Sequence, residues 1–184
     1  MSTCVDDVSS WMSANRLLLN PTKTEVIWCS SHRLLHLIPV DPVRINNTLV
    51  LPVTSVRDLG VYIDADTAMT SHVVATVRSC FASLRQIRSV RRSLPRHALL
   101  TLIRALVISR VDYCNSVLAG ISGRLMARLQ SVLNASARLV FKTRRREPIT
   151  PLLRELHLLR VPERIEFRLC VLGMTLNCIH CHRG

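Results

Sequence analysis

Residues 59–94 read LGVYIDADTAMTSHVVATVRSCFASLRQIRSVRRSL, and the spacing of apolar residues changes partway along them. Val56–Ile63 is rich in β-branched and aromatic residues and reads as a strand, with Gly60 inside it as a bulge or close backbone approach. Asp64–Asp66 reads as a turn. From Thr70 the apolar residues recur every three or four positions: Val73, Val77, Cys80, Leu84, Ile87 and Leu94 share one side of a helix that Thr70 or Ser71 caps. That change of period predicts an α+β chain. A small α/β part of helix plus short antiparallel strands occupies residues 1–66, and an all-α bundle follows over 67–168.

Upstream, residues 1–19 read as a helix with Val5, Val8, Trp11 and Met12 near one face, and Asn20-Pro21 breaks it. Glu25–Cys29 reads as a short strand and residues 30–41 as irregular. Val43–Ile45 and Thr48–Leu51 suggest a hairpin, because Asn46 and Asn47 tolerate the positive φ of a tight turn. Downstream, Pro95–Leu118 is apolar nearly all round and is expected to be the central helix. Further helices are expected from Ser122 to about Lys142, over Pro151–Leu159, and from Pro162 to about Cys178.

The 184 residues carry a formal net charge of +13, and 23 of the 25 basic residues are Arg; only Lys23 and Lys142 are Lys. Guanidinium groups pair bidentately with phosphate, so a nucleic-acid partner is favoured; a codon bias toward Arg is the plainer explanation. Aromatic residues make up 4%, so the core is expected to be aliphatic and base-stacking platforms few. Seven scattered cysteines fit reduced thiols and an intracellular protein, in cytoplasm or nucleus, rather than a disulfide framework. Asp6 and Asp7 interrupt any signal-peptide core, and Arg104 and Arg110 cut the longest apolar stretch, so neither secretion nor a membrane partner is expected.

On the helix after Thr70, Arg78, Arg85 and Arg92 fall within about 40° of one another opposite the apolar side, with Arg88 close by. Seven residues of helix rise about 10 Å, so this column of guanidinium groups is spaced to follow a phosphate backbone, or it is simply a solvated face. Leu125, Leu129, Val132, Leu133, Leu139 and Val140 stripe a later helix that leads to Arg144, Arg145 and Arg146. That run is either a cation cluster at a helix C-terminus or a second phosphate contact.

Several of these segments resemble, in order, the reverse transcriptases of jockey-like LINE (non-LTR) retrotransposons. Residues 4–25, CVDDVSSWMSANRLLLNPTKTE, resemble the helix and Leu-Asn-x-x-Lys-Thr-Glu that follow the active site in that family. Leu59-Gly60-Val61 with Ile63-Asp64, and then His72, resemble its Leu-Gly-Val-x-Ile-Asp strand and the His after it. Residues 109–115, SRVDYCN, resemble its Ser-Arg-Leu-Asp-Tyr-Cys-Asn; Leu129-Gln130 and residues 134–138, NASAR, follow. Ile149-Thr150-Pro151, Leu156-His157 and Val161-Pro162 with Arg164-Ile165 match its closing motif. Leu158 stands where the family usually has Trp, Arg160 where it has Pro and Ser136 where it has Ala.

The resemblance covers about residues 4–168 and leaves 169–184 as a divergent tail. It implies that 1–66 is the end of the palm with a hairpin like the primer grip, and that 67–168 is the thumb. It also implies that the fingers, the early palm and the Ala-Asp-Asp motif holding two Mg²⁺ lie outside this chain. The expectation is therefore a fragment of an RNA-directed DNA polymerase that is inactive alone and needs its missing N-terminal part for catalysis. It would bind RNA or an RNA–DNA duplex through Arg78, Arg85, Arg88, Arg92 and 144–146, with no cofactor of its own. Lys23 matches the motif D lysine, which in polymerases is thought to give a proton to departing pyrophosphate; without the metal site it is an exposed relic, or it is simply a solvent-facing turn lysine.

Asp6 and Asp7 imitate a metal-holding pair, but such a pair needs a hairpin and a further acid on a neighbouring strand, so no metal site is expected there. Cys178, His180, Cys181 and His182 fit a haem-attachment or zinc pattern; export or a second distant ligand pair would be required, and neither is evident. Neither a Gly-x-Ser-x-Gly elbow nor a phosphate-binding glycine loop is present. Two other readings remain. The chain is the C-terminal part of an intact polymerase cut short by a gene model, or its helices form a protein-interaction module. For the α/β part, open strand edges and exposed apolar surface predict aggregation or loose packing.

Overall fold

The computed structural model describes residues 2–20, 23–45, 48–144 and 146–181, leaving aside the side chains of 2, 3, 32 and 175–181. The chain is α+β and divides into two compact units, Met1–Ser71 and His72–Gly184.

In the first unit helix α1 (Ser2–Ala14) packs against strand β2 (Val43–Ile45). Val5 and Met12 are half-buried there while Val8 and Trp11 stand in solvent, so the helix covers only part of its apolar face. Strand β1 (Val26–Ile27) is only two residues long, and a 3₁₀ turn (His32–Leu37) occupies part of the segment expected to be irregular. Strands β2 and β3 (Thr48–Val50) pair antiparallel, Val43 opposite Val50 and Ile45 opposite Thr48, as the hairpin pattern predicts; Asn46 and Asn47 lie outside the described residues.

Two features depart from the reading of the sequence. Strand β4 (Pro52–Val53) pairs with β1 in parallel rather than antiparallel. The hairpin between them acts as a crossover, which lets both strands run the same way. The stretch read as one strand over 56–63 is instead a second hairpin, β5 (Ser55–Asp58) with β6 (Val61–Asp64). Leu59 and Gly60 form its two-residue turn with φ of 45° and 85°. Positive φ at both central residues is the geometry that matches strand twist, and Gly60 supplies the half of it that costs nothing. Gly60 is thus a turn glycine and not a bulge.

Helix α2 (Thr70–Val90) begins at the junction and supplies the second unit's first wall. Its cap is neither of the expected hydroxyls: the Ser71 backbone N–H donates to Asp64 Oδ2 at 2.9 Å, so the last strand residue satisfies the helix end. A 3₁₀ turn (Arg91–Ser93) and Pro95 lead into α3 (Arg96–Ile103). Next come a π-helical turn (Arg104–Ile108) and α4 (Ser109–Asp112); Cys114, at φ 50°, then turns the chain into a 3₁₀ turn (Asn115–Leu118). Helix α5 (Gly123–Phe141) follows, closed by Lys142 at φ 59°, then α6 (Ile149–Glu155) and α7 (Val161–Cys181).

The segment expected to be a single central helix runs unbroken from Arg96 to Asp112 through the π-helical turn, stops short of Leu118 at the left-handed Cys114, and keeps one side wet: Arg104, Ala105, Ser109 and Arg110 are exposed while Leu99, Ile103, Val107, Ile108 and Val111 are buried. Helix α5 takes the central place instead. It packs against α3, the π turn, α6 and α7. Leu129, Val132, Leu133, Ser136 and Ala137 on it are almost wholly buried, and the Ser136 hydroxyl is satisfied by the Val132 carbonyl.

Polar joints lock this unit. The Arg164 guanidinium donates to both carboxylate oxygens of Asp112 at 2.7 Å and, through Nε, to the Leu159 carbonyl. Arg110 reaches across to the hydroxyls of Ser79 and Ser83 on α2, at 2.7 and 2.9 Å. Among the described residues no helix is long and apolar enough to cross a membrane.

Candidate nucleic-acid interface

The charge is not shared between the units. Met1–Ser71 holds 5 basic and 7 acidic residues, a formal charge of −2, whereas His72–Gly184 holds 20 basic and 5 acidic residues, a formal charge of +15. Four of those five acids are engaged. Asp112 holds Arg164, Glu155 holds Arg96 at 2.6 Å, and the carboxylates of Glu147 and Glu163 accept the backbone N–H groups of Arg144 and Arg160.

Helix α2 sets the geometry. Val73, Val77, Cys80, Leu84 and Ile87 point into the unit, so its two flanks face different neighbours. One flank carries Ser79 and Ser83 under Arg110. The other carries Phe81 and, two turns on, Arg88. Arg78 and Arg85 are exposed two turns apart on the outer face, as the column requires. Arg92 is exposed too, in the 3₁₀ turn that follows the helix end at Val90; two residues at about 120° each keep it in line with Arg78.

On the Phe81 flank a groove of about 930 Å³ lies between α2 and α5. Phe81, Arg88 and Arg91 form one wall; Ser131, Asn134, Ala135, Arg138, Leu139 and Lys142 form the other, with Thr143 at its end. The α5 residues recur at steps of three or four and make a second stripe beside its apolar one. The groove thus gathers four cations, and among the described residues no carboxylate lines it. Cations near helix C-termini ordinarily offset the helix dipole. Two helix ends supply about one negative charge in total, less than the four cations carry. A low, partly apolar floor beneath that excess charge suits a polyanion with some apolar surface.

Of the described phosphate-contact candidates read from sequence, Arg88 lines this groove, with Arg78 and Arg85 on the adjoining face of the same helix. Arg144 and Arg146 are exposed in the loop after α5 and do not line it; Arg145 lies outside the described residues. Lys23 is in the first unit, exposed in a turn where its N–H bonds the Asn20 carbonyl. Arg91, Arg138, Lys142, Phe81 and Asn134 were missed as site residues. The three-and-four spacing of 131, 134, 135, 138, 139 and 142 was the available signal.

Asp6 and Asp7 are consecutive exposed positions on α1, about 100° apart on the helix rather than at a hairpin tip. They do not fit a two-metal carboxylate pair, and among the described residues no three His, Cys, Asp or Glu side chains come together to hold an ion. Side chains 178–181 and residue His182 lie outside the described residues. Cys80, sealed in the core with its thiol 3.7 Å from the Val107 carbonyl, is pushed up to about 11 by burial, against the opposing pull of Arg110. That makes it a packing residue rather than a nucleophile. Searches of protein-family models, curated proteins and solved structures return no match for this chain.

Proposed function

We propose that this chain is the end-of-palm and thumb portion of a jockey-like LINE reverse transcriptase. In this reading its helical unit grips the backbone of RNA or an RNA–DNA duplex while the polymerase chemistry resides elsewhere. The observation that carries the proposal is the acid-free groove lined by Arg88, Arg91, Arg138 and Lys142.

The residues that carry the family resemblance also fall at structural joints. Asp64 caps α2, Leu59 and Gly60 make the hairpin turn, Asp112 of the SRVDYCN segment pairs with Arg164 of the closing motif, and Gln130 accepts the Val161 N–H at 2.9 Å. A motif whose separate pieces bond to one another supports a common fold more strongly than the same pieces scattered at random. In this reading the Mg²⁺ chemistry of the family rests on carboxylates other than Asp6 and Asp7.

The test is a fluorescence-anisotropy titration of the full chain with a labelled RNA–DNA hybrid. Four phosphate contacts predict an affinity that falls by about two orders of magnitude between about 50 mM and about 200 mM monovalent salt. Reversing two groove charges, Arg88→Glu with Arg138→Glu, is expected to weaken binding more than tenfold and to flatten that salt dependence by roughly half. Salt-independent binding, or a double reversal that leaves affinity unchanged, would remove the proposal.

A further inference from the structure

One wall of the groove contains a neutral group whose orientation is fixed from outside. The Val161 backbone N–H, in the first turn of α7, donates to Gln130 Oε1 at 2.9 Å. A backbone N–H only donates, so the Gln130 amide must turn its oxygen toward α7 and its nitrogen the other way. That nitrogen donates to Asn134 Oδ1 at 3.0 Å. The second amide is thereby fixed as well: with its oxygen held by Gln130, the NH₂ is the end of Asn134 left to donate, on a side chain that lines the groove. The relay runs from a buried helix start, through Gln130, to a donor at the groove wall. Asn134 sits on α5 one turn before Arg138, and Phe81 and Leu139 give the same groove its apolar surface.

The geometry points to Asn134 as a pre-oriented neutral donor that recognises an uncharged acceptor, a ribose 2′ oxygen or a base-edge oxygen or nitrogen, lying between the phosphates that the groove cations hold. This rests on the nucleic-acid reading of the groove and adds to it. Cations alone bind any polyanion, whereas a fixed NH₂ distinguishes strands by what they present between their charges. An amide free to rotate would meet donors and acceptors equally; the bond from Val161 removes that freedom before the ligand arrives, so none of the binding free energy is spent on orienting it.

The measurement compares the parent chain with Asn134→Leu, which is similar in size and charge-neutral, on an RNA–DNA hybrid and on a DNA duplex of the same sequence across a salt series. The expected result is a roughly tenfold loss of affinity with the salt slope unchanged, because a neutral hydrogen bond is lost and no ion contact is. Loss confined to the hybrid assigns the 2′ oxygen as acceptor; equal loss on both duplexes assigns the base edge. Arg88→Glu, by contrast, is expected to change the slope. Unchanged affinity in Asn134→Leu, with the parent still binding in a salt-dependent way, overturns this inference and leaves the groove reading standing. A parent chain that shows no salt-dependent binding overturns both. Matching thermal unfolding of the variant and parent excludes misfolding as the cause of a loss.

Discussion

Leu18 and Leu49, in the first unit, are 90% and 68% exposed, while Leu129 and Leu133, in the second, are almost completely buried. These leucines meet opposite surroundings, although Leu106, Leu159, Leu169 and Leu172 of the second unit are exposed as well. Among the described residues of Met1–Ser71, the buried apolar side chains are Ile45, Val61 and Met69; in His72–Gly184 every helix from α2 to the start of α7 contributes some. The first unit is held mainly by backbone pairing, in three separate two-stranded sheets, and by turns. The second is held by side chains, in a core closed by Asp112 with Arg164 and by Arg110 across to α2. Two-stranded pairs are marginal in water unless something covers one face. A helix bundle, in contrast, buries its apolar stripes on itself, and its outer faces are then free to carry charge. This is why the excess of +15 resides where the core is better.

The sharpest way to break that contrast is a pair of truncations. Leu133→Ala removes a fully buried side chain from the central helix and is expected to cost about 3–5 kcal/mol. Leu49→Ala removes an exposed one and is expected to change stability by less than about 0.5 kcal/mol. Urea unfolding followed by far-ultraviolet circular dichroism measures both, since most of the helix is in the second unit. Similar costs for the two substitutions would mean that the first unit's apolar side chains are covered in solution, and the comparison would fail.

A smaller effect comes from pH. Burial holds the Cys80 thiol at about 11, above the 9.0 expected in the unfolded chain. Between those values the unfolded chain releases a proton that the folded chain keeps, so unfolding gains favour as pH rises. The second unit should keep its full stability below pH 9.0 and lose on the order of 2–3 kcal/mol as pH climbs to about 11. Cys80→Ala should remove that alkaline slope, at the cost of a small cavity. An unchanged slope in the variant would place its origin in another group.

The sequence was most legible where period and composition agree. The α5 stripe, the change from strands to helices near residue 70 and the β2–β3 hairpin all follow from spacing. It was least legible where two local rules conflict. Residues 95–118 have the composition of a buried helix, yet one side stays wet and the left-handed Cys114 ends it early, and neither has a residue signature. The same holds for the site. The Arg column on α2 was visible as a period along one helix, but the groove requires a second helix beside it, and the pairing of α2 with α5 depends on tertiary packing that a one-dimensional pattern does not contain. Arg91 and Arg138 were therefore counted in the charge and not in the site.

The smallest expected effect tests whether turns rather than core hold the first unit. Leu59 occupies a positive φ of 45° at the β5–β6 turn and is 82% exposed, a conformation and a setting that both suit Asn better. Leu59→Asn creates the Asn-Gly pair favoured in such turns and takes a large apolar side chain out of water, so it is expected to stabilise the hairpin by about 0.5–1 kcal/mol. Amide hydrogen exchange at Val56 and Ile63, which face each other across the hairpin, reads that change locally. If turn geometry is what holds this unit, protection rises there and stays constant along α5. If protection at Val56 and Ile63 does not move, then the hairpin is held by what packs on Val61 and Asp64, the buried side chains of β6, and the first unit has more of a core than its exposed leucines suggest.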